Sequence, residues 1–239
     1  MDDKVKKSKN EENILNAGIA GSAYETVQRY GSAAKQHLVA YSGVDNEAGT
    51  TLVKGLKQIA EEKINPDYKY QNISQQAGFS AEVKDVARTN AESIIKGETT
   101  RKIRTDDLGR VNDPLYDTVS IDANGNIIKG SGAQMKFLGA SEKDPTRAGD
   151  AARALEKLQS KKFEKYLEHD AKIDVPSDQY DRMINEANGK IEELSRQLEN
   201  QKNAGNTTQV QKIQDKIDKL EKIKRNLRKS TVSSTPNKN

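Results

Sequence analysis

The sequence predicts a mixed α/β (α+β) fold, with a small central domain of helices and strands between two helical segments. Three observations support this fold class: an alternating strand pattern followed by a hairpin turn, helical periodicity on both sides of it, and a heptad pattern near the C-terminus. The chain has 239 residues, of which 32% are charged and only 33% hydrophobic. We therefore expect part of it to be solvated helix or disordered.

Residues 1–77 are expected to form helical accessory structure. Residues 1–12 are polar and of low complexity, which predicts disorder. Residues 13–77 predict one helix from 13 to about 40 and an amphipathic helix over 51–63. We interpret this segment as a helical cap that packs on the central domain.

Residues 78–176 change character and predict the central mixed domain, which begins with a helix. Ser80 is the expected N-cap of this helix, because apolar residues follow it at helical spacing to about residue 96. The stretch over 101–115 is polar and rich in turn residues, which predicts a loop.

The strands of this domain follow the loop. The alternation over 116–122 predicts a strand, and Asn124-Gly125 is a strong hairpin signal that returns the chain into a second long strand over 133–138. A helix over about 147–167 and a short strand over 171–175 come next. The predicted order is helix, two or three strands, helix, strand.

Residues 177–229 carry apolar side chains at alternating steps of three and four on both sides of Asn203–Asn206. This spacing predicts an antiparallel helical hairpin with a coiled-coil seam. A lone two-helix hairpin buries little apolar surface, so we expect residues 178–229 to dock on the central domain, on a second copy or on a protein partner. The tail, 230–239, is predicted to be disordered.

The second helix of the hairpin has a basic face. The net charge of the chain is +4, and its excess lies in residues 177–239, with 13 Lys and Arg against 9 Asp and Glu. Cations at spacings of three and four share a face, so they are possible contacts to DNA phosphates. The alternative is a solvated flank of the coiled coil. The candidates are Lys219, Lys222, Arg225 and Arg228.

The composition excludes several classes of function. The chain has no cysteine, which excludes disulfides, thiol catalysis and Cys-ligated metals. The two histidines form no local metal pair and no glycine-rich phosphate loop is present, so we expect neither haem nor a bound nucleotide. No apolar stretch fits a membrane span and no signal sequence begins the chain, so we expect a cytoplasmic protein without membrane contact.

Three polar side chains on the central strands form the candidate site. Asp117 opens the first strand, and Gln134 and Lys136 lie two apart on the next long strand, so both point to one face. The hairpin should bring Asp117 beside them, where a carboxylate, an amide oxygen and an ammonium could hold Mg²⁺ and assist the attack of water. The alternative is an ordinary solvated pair beside an exposed glutamine.

These residues and the order of elements resemble the PD-(D/E)xK nuclease core, in the variant of Mrr-type restriction domains that carries Gln in place of Glu. The resemblance covers about residues 78–176 and implies an α-β-β-β-α-β core and a Mg²⁺-dependent endonuclease that acts on DNA. It implies that Asp117 and Gln134 hold the metal and that Lys136 assists the attack.

Members of the family often carry a further metal-binding Glu early in the first helix. Glu82 matches that position, with Glu92 as the less well placed alternative. Glu82 can instead be a glutamate that stabilises the helix N-terminus. Arg104, Asp106 and Asp107 could contribute to the site or form a polar loop.

The sequence therefore supports two functions from different classes. The first is a Mg²⁺-dependent endonuclease-like protein whose hairpin pairs subunits or recruits a partner. The alternative is a non-catalytic interaction or scaffold protein that works through its helical hairpin.

Overall fold

The computed structural model describes the backbone of residues 2–138 and 150–234 and the side chains of residues 21–138 and 150–234. The helices are α1 (Asp2–Ser42), α2 (Leu56–Glu61), α3 (Lys69–Ile95), α4 (Ala151–Leu158), α5 (Glu164–Glu168), α6 (Ser177–Asn203) and α7 (Thr207–Asn226). The strands are β1 (Val44–Asp45), β2 (Thr50–Thr51), β3 (Arg101–Arg104), β4 (Thr118–Ile121), β5 (Ala133–Met135), β6 (Lys172–Val175) and β7 (Leu227–Lys229). Within these residues, none of the helices combines the length and apolar character that a membrane crossing requires.

Strands β3 to β7 form one five-stranded mixed sheet with the spatial order β3-β4-β5-β6-β7. β3, β4 and β5 are antiparallel neighbours, whereas β5, β6 and β7 run parallel. β1 and β2 form a separate two-stranded hairpin. From α3 to β6 the chain runs helix, three strands, helix, strand, with the short α5 before the last strand. The mixed α+β class that we predicted is confirmed.

The N-terminal helices are longer than predicted. α1 already begins at Asp2, so the disorder expected for residues 1–12 is not found over 2–12. α3 begins at Lys69, so Ser80 is not an N-cap and the boundary expected after residue 77 falls inside a helix. The later part of α3 packs on the end of α1, where Val83 and Ala87 cluster with Ala40. The added N-terminal turns of α3 contact the segment after α2 instead, and Gln76 Nε2 donates to the C=O of Glu62 at 3.1 Å.

Two other helices are shorter than predicted. The helix expected over 51–63 is limited to α2, because Thr50–Thr51 pair with β1 instead. The start expected near residue 147 lies outside the described residues. α4 ends at Leu158, and a 3₁₀ turn at Lys161–Phe163 leads into α5.

β3 lies in the stretch that we predicted to be a loop, and this prediction is wrong. Lys102 and Arg104 are both buried in β3, because carboxylates neutralise them. The side-chain amide of Asn90 on α3 accepts from the backbone N–H of Lys102 at 2.7 Å and donates to its C=O at 2.9 Å. Asn90 thus pairs with this edge strand as a neighbouring backbone would.

The main core joins the sheet to α4, α5, α6 and α7, whereas a smaller cluster of Ala40, Ile59, Val83 and Ala87 joins α1, α2 and α3. Each main-core side chain named next is at most 1% exposed. They are Leu155, Leu158, Ile173, Met183, Leu220 and Ile223.

α6 and α7 lie antiparallel and turn in the three residues between them, within the predicted turn. Near the turn they pack on each other through Leu198, Ile213 and Ile217. At the other end they contribute Met183 and Ile223 to the main core. The hairpin therefore docks on the central domain through its base.

The chain continues in ordered structure after α7. Leu227–Lys229 form β7 at the edge of the sheet instead of extending the predicted hairpin helix. Beyond it, the C=O of Val232 accepts from the N–H of Ser177 at 2.8 Å, and the N–H of Ser234 donates to Asp178 Oδ1 at 2.7 Å. The predicted disorder is wrong for residues 230–234, and residues 235–239 lie outside the described part.

A network of buried ion pairs joins four of these elements. Lys102 Nζ on β3 lies 2.5 Å from Asp85 Oδ2 on α3 and 2.6 Å from Asp174 Oδ2 on β6. Arg228 on β7 donates to both oxygens of Asp174, at 2.5 and 2.9 Å. Asp85 Oδ1 accepts from the N–H of Thr231 at 2.6 Å. Each charged group in this network has an oppositely charged partner. Removing one of them would leave its partner as an unpaired charge in the protein interior.

We predict that Lys102→Met lowers the free energy of unfolding by about 3–5 kcal/mol, because Asp85 and Asp174 lose their shared cation. Urea denaturation at pH 7 measures this change. Lys84→Met, on the exposed face of α3, is the matched control and should leave stability within about 0.5 kcal/mol of wild type.

The same variant has a distinct pH dependence. Burial alone would raise the pKa of Asp174, but its bonds to Arg228 and Lys102 hold that pKa below its usual value. The stabilisation is therefore present above about pH 4 and is lost as pH falls through the lowered pKa. The difference between wild type and Lys102→Met should shrink in acid, and an equal difference at all pH values would contradict this role.

Candidate active site

Asp117, Gln134 and Lys136 meet where β4 and β5 lie side by side. Asp117 directly precedes β4, and its Oδ2 accepts a hydrogen bond of 2.8 Å from the N–H of Met135. Lys136 Nζ lies 3.9 Å from the same oxygen, and the Gln134 side chain is close enough to the Asp117 carboxylate to lower its pKa. The antiparallel pairing of β4 with β5 sets this register. The structure thus brings together the three polar residues that the strand pattern predicted as neighbours.

The ammonium of Lys136 is held in a partly buried position. Its Nζ lies over the Tyr166 ring, 5.5 Å from the ring centre. Burial lowers the pKa of Lys136, whereas the carboxylates of Asp117 and Glu82 raise it. The net pKa is below its usual value, so this lysine is less strongly hydrated than a surface lysine. Tyr166 lies within the helix predicted over about 147–167, and nothing in its spacing marks its contact with Lys136.

Glu82 lies well inside α3, so it is not a glutamate at a helix N-terminus. It lines a cavity of about 70 Å³ together with Phe79, Asp106, Tyr116 and Asp117. Burial, and then the charge of Asp117, raise the pKa of Glu82 to about 8, although Arg104 opposes this rise. Near neutral pH this carboxyl therefore retains its proton in the absence of a cation.

The pKa of Asp117 is also set by opposing effects. Burial raises its pKa, while Lys136, the N–H of Met135 and the Gln134 amide act in the opposite direction, and the net pKa is above the usual value. Two neighbouring carboxyls with raised pKa values form an environment that disfavours negative charge unless a further cation neutralises it.

Arg104, Asp106 and Asp107 divide into two roles. Arg104 Nε and Nη2 each donate to the Asp107 carboxylate at 2.8 Å, and Asp107 Oδ1 also accepts from the N–H of Val53 at 2.8 Å. This pair ties β3 to the segment before α2. Asp106 lines the cavity of Glu82, and its charge raises the pKa values of Glu82 and Asp117.

Glu92 does not reach this site. It lines a different cavity, of about 230 Å³, with Asp85, Lys102 and Arg228 of the buried ion network. Of the two glutamates considered from the sequence, only Glu82 lies near Asp117.

The donor set fits Mg²⁺ in its chemistry. Asp117 and Glu82 offer carboxylate oxygens and Gln134 an amide oxygen, which are hard ligands. Rotation of the Gln134 amide by half a turn would present its oxygen instead of its nitrogen toward Asp117. Within the described residues, no three His, Cys, Asp or Glu side chains could hold a metal among themselves, so the amide oxygen or water must complete this set.

The candidate phosphate contacts of the C-terminal helix are largely paired with carboxylates. Lys219 Nζ lies 3.6 Å from Glu164, and Lys222 Nζ lies 3.7 Å from Asp170. Arg228 is not on the helix: it belongs to β7 and is bonded to the buried Asp174. Arg225 remains exposed near the end of α7. Arg228 therefore does not share the basic helix face that we predicted for these four residues.

Comparisons with protein-family models, with curated proteins and with solved structures find no match to this chain. The residues and their geometry are thus the basis for assigning a function.

We predict that Glu82→Gln stabilises the protein at alkaline pH. The folded-state pKa of about 8 lies above the ordinary value of 4.5, so wild type loses stability as pH rises from about 4.5 to about 8. The amide carries no charge, so the variant should exceed wild type by about 2–4 kcal/mol at pH 9 and equal it near pH 4. Urea denaturation across pH measures the difference.

Glu61→Gln, on the exposed end of α2, is the control and should show no such pH-dependent gain. A Glu82→Gln variant that is less stable than wild type at pH 9 would show that the Glu82 carboxylate is stabilised in the fold, contrary to this account.

Proposed function

We propose that this protein is a Mg²⁺-dependent endonuclease-like protein that acts on DNA through Asp117, Glu82, Gln134 and Lys136. The observation that carries the proposal is the partly buried ammonium of Lys136, 3.9 Å from the Asp117 carboxylate at the junction of two adjacent strands. Buried ionisable groups with perturbed pKa values and no full neutralisation are typical of functional sites.

The order of elements supports the same proposal. The stretch from α3 to β6 has three antiparallel strands followed by a crossover to a parallel strand. The PD-(D/E)xK core that residues 78–176 resemble has the order α-β-β-β-α-β. Asp117 adjoins β4 and Gln134-Met135-Lys136 lie on and after β5, the second and third strands of this stretch.

The metal in this proposal would be held by Asp117, Glu82 and the amide oxygen of Gln134. Bound Mg²⁺ would supply Lewis-acid stabilisation of a phosphodiester and an acidified water. The protein alone stabilises the charged forms of Asp117 and Glu82 poorly, as their raised pKa values indicate. A bound cation would therefore stabilise both carboxylates.

Lys136 is suited to act on the phosphodiester itself. In hydrolysis a water oxygen attacks phosphorus, the bond to the leaving oxygen breaks and negative charge grows on the remaining phosphate oxygens. Lys136 can donate hydrogen bonds to one of these oxygens, and Asp117 and Tyr166 hold its ammonium in place before substrate arrives. A positioned, partly desolvated cation stabilises the transition state without reorganisation.

The second candidate function is that of a non-catalytic interaction protein. The cluster of Leu198, Ile213 and Ile217 is built from α6 and α7 alone, beyond the part of the hairpin that joins the main core. A hairpin end that packs only on itself presents two adjacent helices to a partner. This function requires no metal and no cleavage, so activity measurements separate it from the first.

We predict that Lys136→Met abolishes Mg²⁺-dependent cleavage of DNA, with a loss of about 100-fold or more, because Lys136 stabilises charge that develops only in the transition state. Gel assays on duplex, junction and single-stranded DNA with Mg²⁺ or Mn²⁺ measure the rate. Lys129→Met, in the exposed hairpin loop, is the matched control and should cleave like wild type. If wild type cleaves none of these substrates, the interaction-protein function replaces this one.

We predict that Gln134→Glu keeps or raises the cleavage activity and lowers the Mg²⁺ concentration needed for half-maximal rate. The carboxylate adds a negative charge to the proposed ligands, and acidic residues are common at this position in the family that the segment resembles. Gln134→Leu, which removes the ligating oxygen, should lose activity. A folded but inactive Gln134→Glu variant would be evidence against a metal ligand at this position.

A further inference from the structure

Two lysine ammonium groups lie close to the Tyr166 ring. Lys136 Nζ is 5.5 Å from the ring centre, and Lys165 Nζ is 4.9 Å from it. The two ammonium groups are therefore no more than about 10 Å apart, a reach that spans neighbouring phosphates of one nucleic-acid strand. Lys165 thus continues the positive charge of the candidate active site outward.

Lys162 lies on the same side as Lys165. It is three residues earlier, in the 3₁₀ turn before α5, and both side chains are exposed. The charges of Lys162 and Lys165 both act on Lys136 and lower its pKa, which agrees with their proximity. Within the described residues neither lysine forms an ion pair, whereas Lys219 and Lys222 on α7 do.

The backbone that carries these lysines is held firmly. Phe163 and Tyr166 are buried, and their rings pack with centroids 6.1 Å apart. Leu167 is also buried in the main core. Phe163 between the two lysines and Tyr166 and Leu167 after them therefore anchor this segment, so Lys162 and Lys165 are presented from a packed support near Lys136.

We propose that Lys162 and Lys165 bind the backbone phosphate next to the one that Lys136 contacts, on a DNA strand that runs from the candidate active site across α5. This inference rests on the proposed function, since it extends the same site. Tyr166 is buried, so it does not stack on a base, and both ammonium groups lie near its ring. Contacts of this kind give affinity and register without reading sequence.

Binding of a fluorescein-labelled duplex, followed by anisotropy in EDTA between about 50 and 200 mM salt, tests the inference directly. Lys162→Gln/Lys165→Gln should raise the Kd about tenfold or more at low salt. Loss of the contacts to this one phosphate should reduce the slope of log K against log salt by about 1. Lys212→Gln/Lys216→Gln, on the exposed face of α7, removes the same charge and should leave both quantities unchanged.

Cleavage with Mg²⁺ adds a second measurement. The Lys162→Gln/Lys165→Gln variant should raise KM for DNA with kcat within about twofold of wild type, because the substitutions leave the groups that contact the reacting phosphate, Lys136 among them, in place. Both lysines are exposed, so circular dichroism and thermal unfolding should match wild type.

The outcomes separate this inference from the proposed function. If wild type binds and cleaves DNA but the lysine pair has no effect on Kd or KM, the inference is overturned and the proposed function stands. If the α7 control weakens binding instead, the DNA lies along α7. If inorganic phosphate displaces the duplex at an equal concentration of phosphate groups, the lysines form a site for free phosphate. If wild type neither binds nor cleaves DNA, both proposals fail.

Discussion

The buried ammonium of Lys102 is the constraint on which the rest of the central domain depends. It lies between the carboxylates of Asp85 and Asp174, all three nearly inaccessible to water, and Arg228 completes the set from the far edge of the sheet. A network of this kind gives little net stability over an apolar core, but it penalises any arrangement that leaves one charge unpaired. It therefore requires α3, β3, β6 and β7 to assemble together, which makes the hairpin and the tail after it part of the fold.

The candidate site is positioned by the same elements. Glu82 lies three residues before Asp85 on α3, one helical turn away, so the bond that anchors Asp85 also sets the height of Glu82 above the sheet. Arg104 lies two residues after Lys102 on β3 and so points to the same side of the sheet, where its charge opposes the raised pKa of Glu82. The candidate site and the ion network thus share one helix and one strand, and a shift in either would reach the other.

Patterns with a local physical cause could be predicted from the sequence, and patterns with a distant cause could not. The period of two along a strand and the Asn124-Gly125 turn are local, and they sufficed to place Asp117 near Gln134 and Lys136. β3 was not predicted because its buried residues are charged. The burial of Lys102 is explained only by its contacts with Asp85 and Asp174, which are distant in the sequence. The N-terminal turns of α3 are bonded to residues 62–65, and β7 pairs with β6, so neither has a signal in its own segment.

The molecule contains two groups of buried charges, and the difference between them bears on function. Around Lys102 each carboxylate has a direct cationic partner and further hydrogen bonds, so the group is neutralised from within. Around Asp117 the nearest ammonium is 3.9 Å away, Glu82 and Asp117 destabilise each other's charged forms, and burial adds to the effect. Such an arrangement of charges is unfavourable in the folded protein unless a ligand neutralises it. A cation near the two carboxyls would neutralise their negative charge, and a phosphate near Lys136 would neutralise the ammonium. The imbalance of charge, more than the identity of any one residue, is what makes this end of the sheet a candidate for catalysis.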